Sequence, residues 1–257
     1  MKSQMQNVEI FNKLDQFLKG RGFDCDNARI FSFVKERERI GVFDLPRHIR
    51  GLVYSQLSAQ IVWARVEVKL EEIDELFFNY DIPSIKRKDG LYFSNGIKRL
   101  NCANRFIEKY MSGLHHNISV LERIDGIEGG IDNYYLSMPA EQLVEILAAG
   151  KYKLKWIGEA LAWEYLRNVG LDGIKPDVHT CRIMGANRLG YSKEAEASNN
   201  EVVSAAKEIS KQTGLSLSMI DALLWAFCSE SRASVCGKNP KCNICPIATY
   251  CNQDNLA

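Results

Sequence analysis

The chain has 257 residues, 46% of them hydrophobic and 25% charged, and a formal net charge of +1. That is enough material for one large or two modest domains around a sizeable core, and the composition excludes a disordered or fibrous chain. The near-neutral charge excludes a protein coated in positive charge but leaves room for a local basic face, and no apolar run approaches the roughly 18 residues of a transmembrane helix.

The opening segment MKSQMQNVEIFNKLDQF has charges at helical spacing and no apolar signal core. The expected compartment is therefore cytoplasmic, with association to the nucleoid in a prokaryote. Thiols stay reduced there, and clustered cysteines bind metal more often than they pair. Residues 47–80 read as one or two helices, with Leu52, Tyr54 and Leu57 among the early apolar positions. Residues 81–96 and 124–133 read as irregular connections, with a helix between them marked by Ile97, Leu100, Phe106 and Ile107. Met138-Pro139 introduces a helix through 148, ended by Gly150. EALAWEYLRNVG (159–170) is a short helix, residues 171–176 are a turn, and Val178–Leu189 is helical again. Two more helices, 199–213 and 217–229, precede the last cysteines. Little alternation suggests sheet, so the predicted fold class is all-α.

Charge is unevenly spread. Lys86, Arg87 and Lys88, then Lys98, Arg99 and Arg105, then Lys151, Lys153 and Lys155 form basic groups, while EEIDE (71–75) is acidic. Basic groups of this kind are either a solvated face or a surface for phosphates.

Four of the eight cysteines, Cys236, Cys242, Cys245 and Cys251, fall in the stretch CGKNPKCNICPIATYC with the spacing C-x5-C-x2-C-x5-C. Thiolates are soft ligands, and four of them suit zinc or an iron–sulfur cluster. Zinc ribbons present two C-x2-C knuckles, whereas this loop has one close pair flanked by two outlying cysteines. The spacing favours a cluster over zinc and leaves zinc as the alternative. Cys25, Cys102, Cys181 and Cys228 read as small buried residues.

At this loop the chain resembles the iron–sulfur branch of the helix–hairpin–helix DNA glycosylases, typified by endonuclease III and the adenine glycosylase. That family closes with C-x6-C-x2-C-x5-C, and Asn239-Pro240-Lys241-Cys242 and Cys245-Pro246 fit it with one residue missing from the first interval. Leu57-Ser58-Ala59-Gln60 resembles the family's L-S-A-Q. Lys175-Pro176-Asp177-Val178-His179-Thr180-Cys181-Arg182-Ile183, followed by Asn187-Arg188, resembles its aspartate segment V-D-T-H-x-x-R-V with N-R. Leu154-Lys155-Trp156-Ile157-Gly158-Glu159-Ala160 occupies the place of its hairpin, L-P-G-V-G-R-K.

The resemblance implies an all-α protein with a helical barrel domain (41–174, carrying the hairpin) and a cluster domain formed by 1–40 and 175–257, the active cleft lying between them. It implies a [4Fe-4S] cluster held by Cys236, Cys242, Cys245 and Cys251. The partner it implies is double-stranded DNA containing a lesion or mismatch, bound by a monomer. Gln60 would fill the gap left by an extruded base. Lys153, Lys155, Trp156, Ile157 and Gly158 would present amides and charge to a phosphate. Asp177 would be the catalytic carboxylate, stabilising positive charge on the sugar as the base departs and orienting water. His179 is expected to be structural.

Three departures qualify this expectation. Ala160 stands where bifunctional members place the Schiff-base lysine, so a glycosylase using water is expected rather than a lyase. Ser55 stands where the adenine glycosylase places a catalytic Glu, and Trp156 replaces the first hairpin glycine. The alternatives are a DNA lesion- or structure-binding protein of the same fold without catalysis, and a zinc-stabilised helical protein with no nucleic-acid role.

Overall fold

The computed structural model describes residues 2–253. Met1 and residues 254–257, the outermost parts of the expected cluster domain, lie outside the described residues. The described chain is helical throughout and has no strand. In order, the helices are α1 (Gln4–Lys19), α2 (Ile30–Ile40), α3 (Leu45–Leu57), α4 (Trp63–Glu67), α5 (Leu70–Leu76), α6 (Ile82–Lys86), α7 (Gly90–Arg99) and α8 (Ile107–Ser112). They continue with α9 (Leu114–Ile127), α10 (Ile131–Leu136), α11 (Ala140–Ala148), α12 (Glu159–Asn168), α13 (Val178–Met184), α14 (Asn199–Thr213) and α15 (Leu217–Cys228). Two compact units result: the chain up to Ser32 together with everything from Asp172 onward, and Phe33–Leu171.

In the first unit α1 packs on α14 and α15. Ile10, Phe11, Leu14 and Leu18 form the buried stripe of α1, and Phe17 meets Phe227 edge-on at 5.8 Å. α15 (LSMIDALLWAFC) is apolar almost all round because α1, α13 and α14 all pack against it. Its entry is capped by Ser216, whose hydroxyl accepts from the Met219 N–H at 3.1 Å.

The second unit is built around α3, with nine of its thirteen residues buried. Gly51 lets α3 approach the end of α12 closely, since a Cβ there would lie 2.7 Å from Val169 Cγ1. A buried polar clamp ties the unit together. Arg37 donates to both oxygens of Asp132 at 2.7 and 2.8 Å and to the Val169 carbonyl. Asp132 also accepts from the Phe43 N–H at 2.9 Å and contacts His48 Nε2 at 3.1 Å. Burial would raise the Asp132 pKa, but the hydrogen bonds from His48 and Arg37 and the guanidinium charge outweigh it and hold it below the usual carboxylate range.

Several expected boundaries are corrected. Residues 81–96 are not an irregular connection but hold α6 and most of α7, capped by Asp81 (to the Ser84 N–H, 3.0 Å) and Asp89 (to the Tyr92 N–H, 2.8 Å). Gly96 within α7 does not break the helix and sits against the Leu76 side chain, whose methyl a Cβ would meet at 2.5 Å unless the leucine shifted. Residues 124–133 are likewise mostly helical, in α9 and α10. The span 47–80 holds three helices and a short turn in which Phe78, Asn79 and Tyr80 all have positive φ. The helix expected over 178–189 stops at Met184, where Gly185 runs against Ala195 so closely that a Cβ would be 2.1 Å from its carbonyl oxygen.

Candidate functional site

Asp177 is the N-cap of α13. Its Oδ1 accepts from the N–H groups of His179 (2.8 Å) and Thr180 (3.1 Å), and its own N–H donates to the Thr180 hydroxyl at 2.9 Å, a complete capping box. The other carboxylate oxygen, Oδ2, accepts no hydrogen bond among the described residues, and the residue is half-buried. The loop leading to it is pinned to the first turn of α15. Asp172 accepts from Leu217 (3.1 Å) and Ser218 (2.8 Å), the Ser218 hydroxyl accepts from Gly173 (3.3 Å), and buried Asp221 accepts from the Lys175 N–H (3.0 Å). Capping thus fixes the carboxylate's position while leaving one oxygen for other work. His179 is half-buried and its Nδ1 has no partner among the described residues. Burial, then the Asp177 and Glu196 charges, push the neighbouring Cys181 thiol up to about 11.

Cys236, Cys242, Cys245 and Cys251 line one hollow together with Arg188. The loop is fastened to the segment after α13: Asn252 donates its N–H to the Arg188 carbonyl (2.7 Å) and its side-chain amide to the Ala186 carbonyl (2.8 Å). The neighbouring Cys228 thiol, aided by the Arg188 charge, holds the Cys236 thiol below its ordinary value against the opposing effect of burial. Burial pushes Cys245 up to about 11 and also raises Cys251. Among the described residues no three His, Cys, Asp or Glu side chains are set to hold a single metal ion. Four thiols and Arg188 line one hollow, a soft-donor set of the kind that suits an iron–sulfur group or zinc.

In the second unit α11 and α12 are joined by the segment 149–158. Buried Leu154 and Ile157 anchor it from below, and the Leu154 N–H donates to the Leu147 carbonyl at 2.8 Å. Asn117 of α9 grips Lys155 from both sides: its amide donates to the Lys155 carbonyl (3.1 Å) and its oxygen accepts the Lys155 N–H (2.6 Å). Trp156 at the tip has φ +65 and is 41% exposed, unlike buried Trp163. An aromatic residue in this left-handed region carries strain that glycine would not. Lys109 Nζ lies 4.2 Å and Lys155 Nζ 5.5 Å from the Trp156 ring centroid. Gly158 is exposed, with nothing within 4 Å of where a Cβ would be, and caps α12 with no side chain. The first amides of α12 therefore meet no capping side chain from it. Lys153 turns back to the Ala148 carbonyl and Lys151 pairs with Glu128 at 2.8 Å, so Lys155 is the lysine of this group that accompanies the tip. Ala160 sits in the first turn of α12, half-buried.

Gln60 ends the turn after α3, exposed and at φ +51. One residue that sequence reasoning missed stands a turn earlier. Gln56 is fully buried, and neither its amide nitrogen nor its oxygen has a partner among the described residues, although its backbone carbonyl accepts from Asn104 at 2.8 Å. A Gln inside the apolar stripe Leu52–Leu57 was the available signal.

No protein-family model and no curated protein matches the chain. In three dimensions it is similar to an 8-oxoguanine glycosylase/lyase of Methanocaldococcus jannaschii in complex with a 15mer DNA containing 8-oxoguanine. The two are 18% identical over 83% of this chain and 96% of that one, with a TM-score of 0.55. It is similar to a second structure from the same organism, the 8-oxoguanine DNA glycosylase MjOgg, at 18% identity over 84% of this chain and 92% of that one, TM-score 0.56. A non-covalent endonuclease III–DNA complex aligns at 18% identity over 88% and 94% of the two chains, TM-score 0.48. The chain thus has the all-helical fold of the two 8-oxoguanine DNA glycosylases.

Proposed function

We propose that the protein is a DNA glycosylase of base excision repair, acting on double-stranded DNA that contains a damaged or mispaired base. The observation that carries this reading is the Asp177 carboxylate, fixed by its capping box with Oδ2 left free, on a fold shared with two DNA glycosylases. Cleaving an N-glycosidic bond builds positive charge on the sugar, and a carboxylate already held in place stabilises that charge without reorganising. Trp156 and Gly158 bring backbone amides and Lys155 its charge to a phosphate, on a turn whose Lys155 and Ile157 N–H groups are held by Asn117 and the Leu154 carbonyl, with Lys153 behind them, and Gln60 occupies the gap left by the extruded base.

Ala160 supplies no amine, so water is the nucleophile and the product is an abasic site with the strand intact. Cys236, Cys242, Cys245 and Cys251 would hold a [4Fe-4S] cluster, which when bound contributes a covalent fastening of the loop and a one-electron redox centre. The residues themselves connect that loop to α13 through Asn252, Ala186 and Arg188, and so support the segment carrying Asp177.

A panel of single-lesion duplexes, beginning with 8-oxoguanine and including uracil and alkylated purines, tests the reading. Wild type is expected to release a base from at least one member, with strand cleavage only after alkali. Asp177→Asn keeps an N-cap acceptor and is expected to bind that duplex without releasing the base. Trp156 and Ala160 favour a second reading, a lesion binder without catalysis. Binding by wild type with no release from any duplex selects it, and an alkali-independent nick refutes the water mechanism.

A further inference from the structure

The basic residues of the second unit divide by what they meet. Lys86 pairs with Glu122, Lys98 with Glu108 and Lys151 with Glu128, while Lys153 turns to the Ala148 carbonyl. Arg105, Lys109 and Lys155 are exposed and have no carboxylate partner among the described residues. Each meets an aromatic ring instead. The Arg105 guanidinium lies 4.5 Å from the Phe106 centroid, and Lys109 and Lys155 share the Trp156 ring. A ring face orients a cation but leaves its charge and its N–H donors available, whereas a carboxylate cancels the charge.

Packing brings these charges to one side of the unit. Trp156 leans on the junction of α8 and α9, where a Cβ on Gly113 would lie 3.1 Å from Trp156 Cδ1 and 3.4 Å from Lys155 Cβ. Lys109, one turn before Gly113, reaches the same ring, and Arg105 stands at the entry of α8, about a turn (roughly 5.4 Å) earlier. Buried Asn104 sets that entry. Its oxygen accepts from the Phe106 N–H (2.9 Å), and its amide donates to the Gln56 carbonyl of α3 (2.8 Å). Lys98 takes up Glu108, the only carboxylate of α8.

We propose that Arg105 and Lys109 form a second phosphate-binding element beside the hairpin, carrying the strand gripped at the Trp156 tip onward over α8. The partner is the sugar–phosphate backbone of duplex DNA. Long, exposed and uncancelled cations suit phosphates and carry no sequence information. Lys109 supplies a point charge next to that of Lys155, and Arg105 a planar fork that takes two oxygens of one phosphate. The element rests on the DNA reading above but not on catalysis, since a lesion binder would use it equally.

The test is equilibrium binding of the full chain to a fluorescein-labelled undamaged duplex, read by anisotropy over a series of sodium chloride concentrations. Each phosphate contact releases counterions, so the slope of log K against log salt is about −0.9 per contact. Arg105→Gln and Lys109→Gln are each expected to weaken binding and make the slope shallower by about 0.9, and Lys109→Arg to keep the wild-type slope. Lys86→Gln removes the same charge from a lysine already paired with Glu122 and is expected to leave the slope unchanged. An unaltered slope in either Arg105→Gln or Lys109→Gln overturns the proposal. So does an equal change in Lys86→Gln, which would reduce the effect to net charge. The panel of single-lesion duplexes is judged separately. Wild type that shows the expected slopes but releases no base removes the enzyme reading and leaves the element standing, whereas base release with unaltered slopes does the reverse.

Discussion

Asp177 and the 154–158 hairpin are held in place by different means. Asp177 is positioned locally: its partners are its own N–H and the residues two and three positions on, with α15 fastening the loop before it. The hairpin is positioned from afar. Asn117 reaches Lys155 across 38 positions, and the unit around it is tied by Arg37 and Asp132 across 95. Local devices obey rules that can be read from neighbouring residues, whereas distant ones depend on the finished fold. The difference also predicts how each region fails.

Breaking the long-range frame should have the largest effect. Asp132 is 1% exposed and Arg37 12%, so Asp132→Asn leaves a poorly solvated guanidinium without its counter-charge. Loss of one partner of a buried pair costs about 3–5 kcal/mol, to be read from denaturant unfolding. The pH dependence has a defined sign. The folded carboxyl lies below its ordinary value of 3.8, so the unfolded chain takes up a proton first as pH falls. Asp132's contribution is therefore complete above that ordinary value and is lost as pH drops toward the folded one. Wild type should lose stability over that window more steeply than Asp132→Asn.

Asp177→Asn probes the local device and should separate chemistry from folding. The amide still caps α13, so the unfolding midpoint is expected to move little, while single-turnover base release falls about 10²–10³-fold, as for loss of one preorganised electrostatic contact. A fall in stability with release unchanged would make Asp177 a cap and nothing more.

The same contrast explains what was legible in the sequence. The all-α class, the helices α11, α12, α14 and α15, and the Asp177 turn follow from apolar periodicity and neighbouring cap chemistry. α7 was hidden by Gly90, Asn95 and Gly96 in DGLYFSNGIK and α6 by its length of barely more than one turn, although Asp81 and Asp89 announced their starts. Nothing beside Asn117 signals that its carboxamide will grip Lys155, and Gln56 shows its lack of partners only once α3 is packed. The internal engagement of Lys151 and Lys153 was equally invisible, since it depends on Glu128 and on where α11 ends.

Asn117→Ala tests the distant hold directly. It removes two hydrogen bonds from the Lys155 backbone, and leaving such groups unsatisfied costs about 1–3 kcal/mol. If the hairpin is merely tethered, faster amide exchange should be confined to residues 153–158. A global loss of protection would show that Asn117 supports the whole unit.

Trp156→Gly should have the smallest effect and an opposite sign in two measurements. Glycine accepts the positive φ that Trp156 is forced to adopt, so relief of left-handed strain is expected to stabilise the protein by about 1 kcal/mol. The same change removes the ring against which Lys109 and Lys155 are arrayed, and affinity for duplex DNA is expected to fall. A residue kept only for packing would lose stability on this substitution, because part of the indole lies against Gly113. A gain in stability together with a loss of DNA affinity would instead identify Trp156 as a residue whose strain is tolerated for binding. That outcome would extend the contrast to the hairpin itself: Asp177 satisfies a local rule and retains a free oxygen, while Trp156 breaks one at an exposed tip flanked by two lysines.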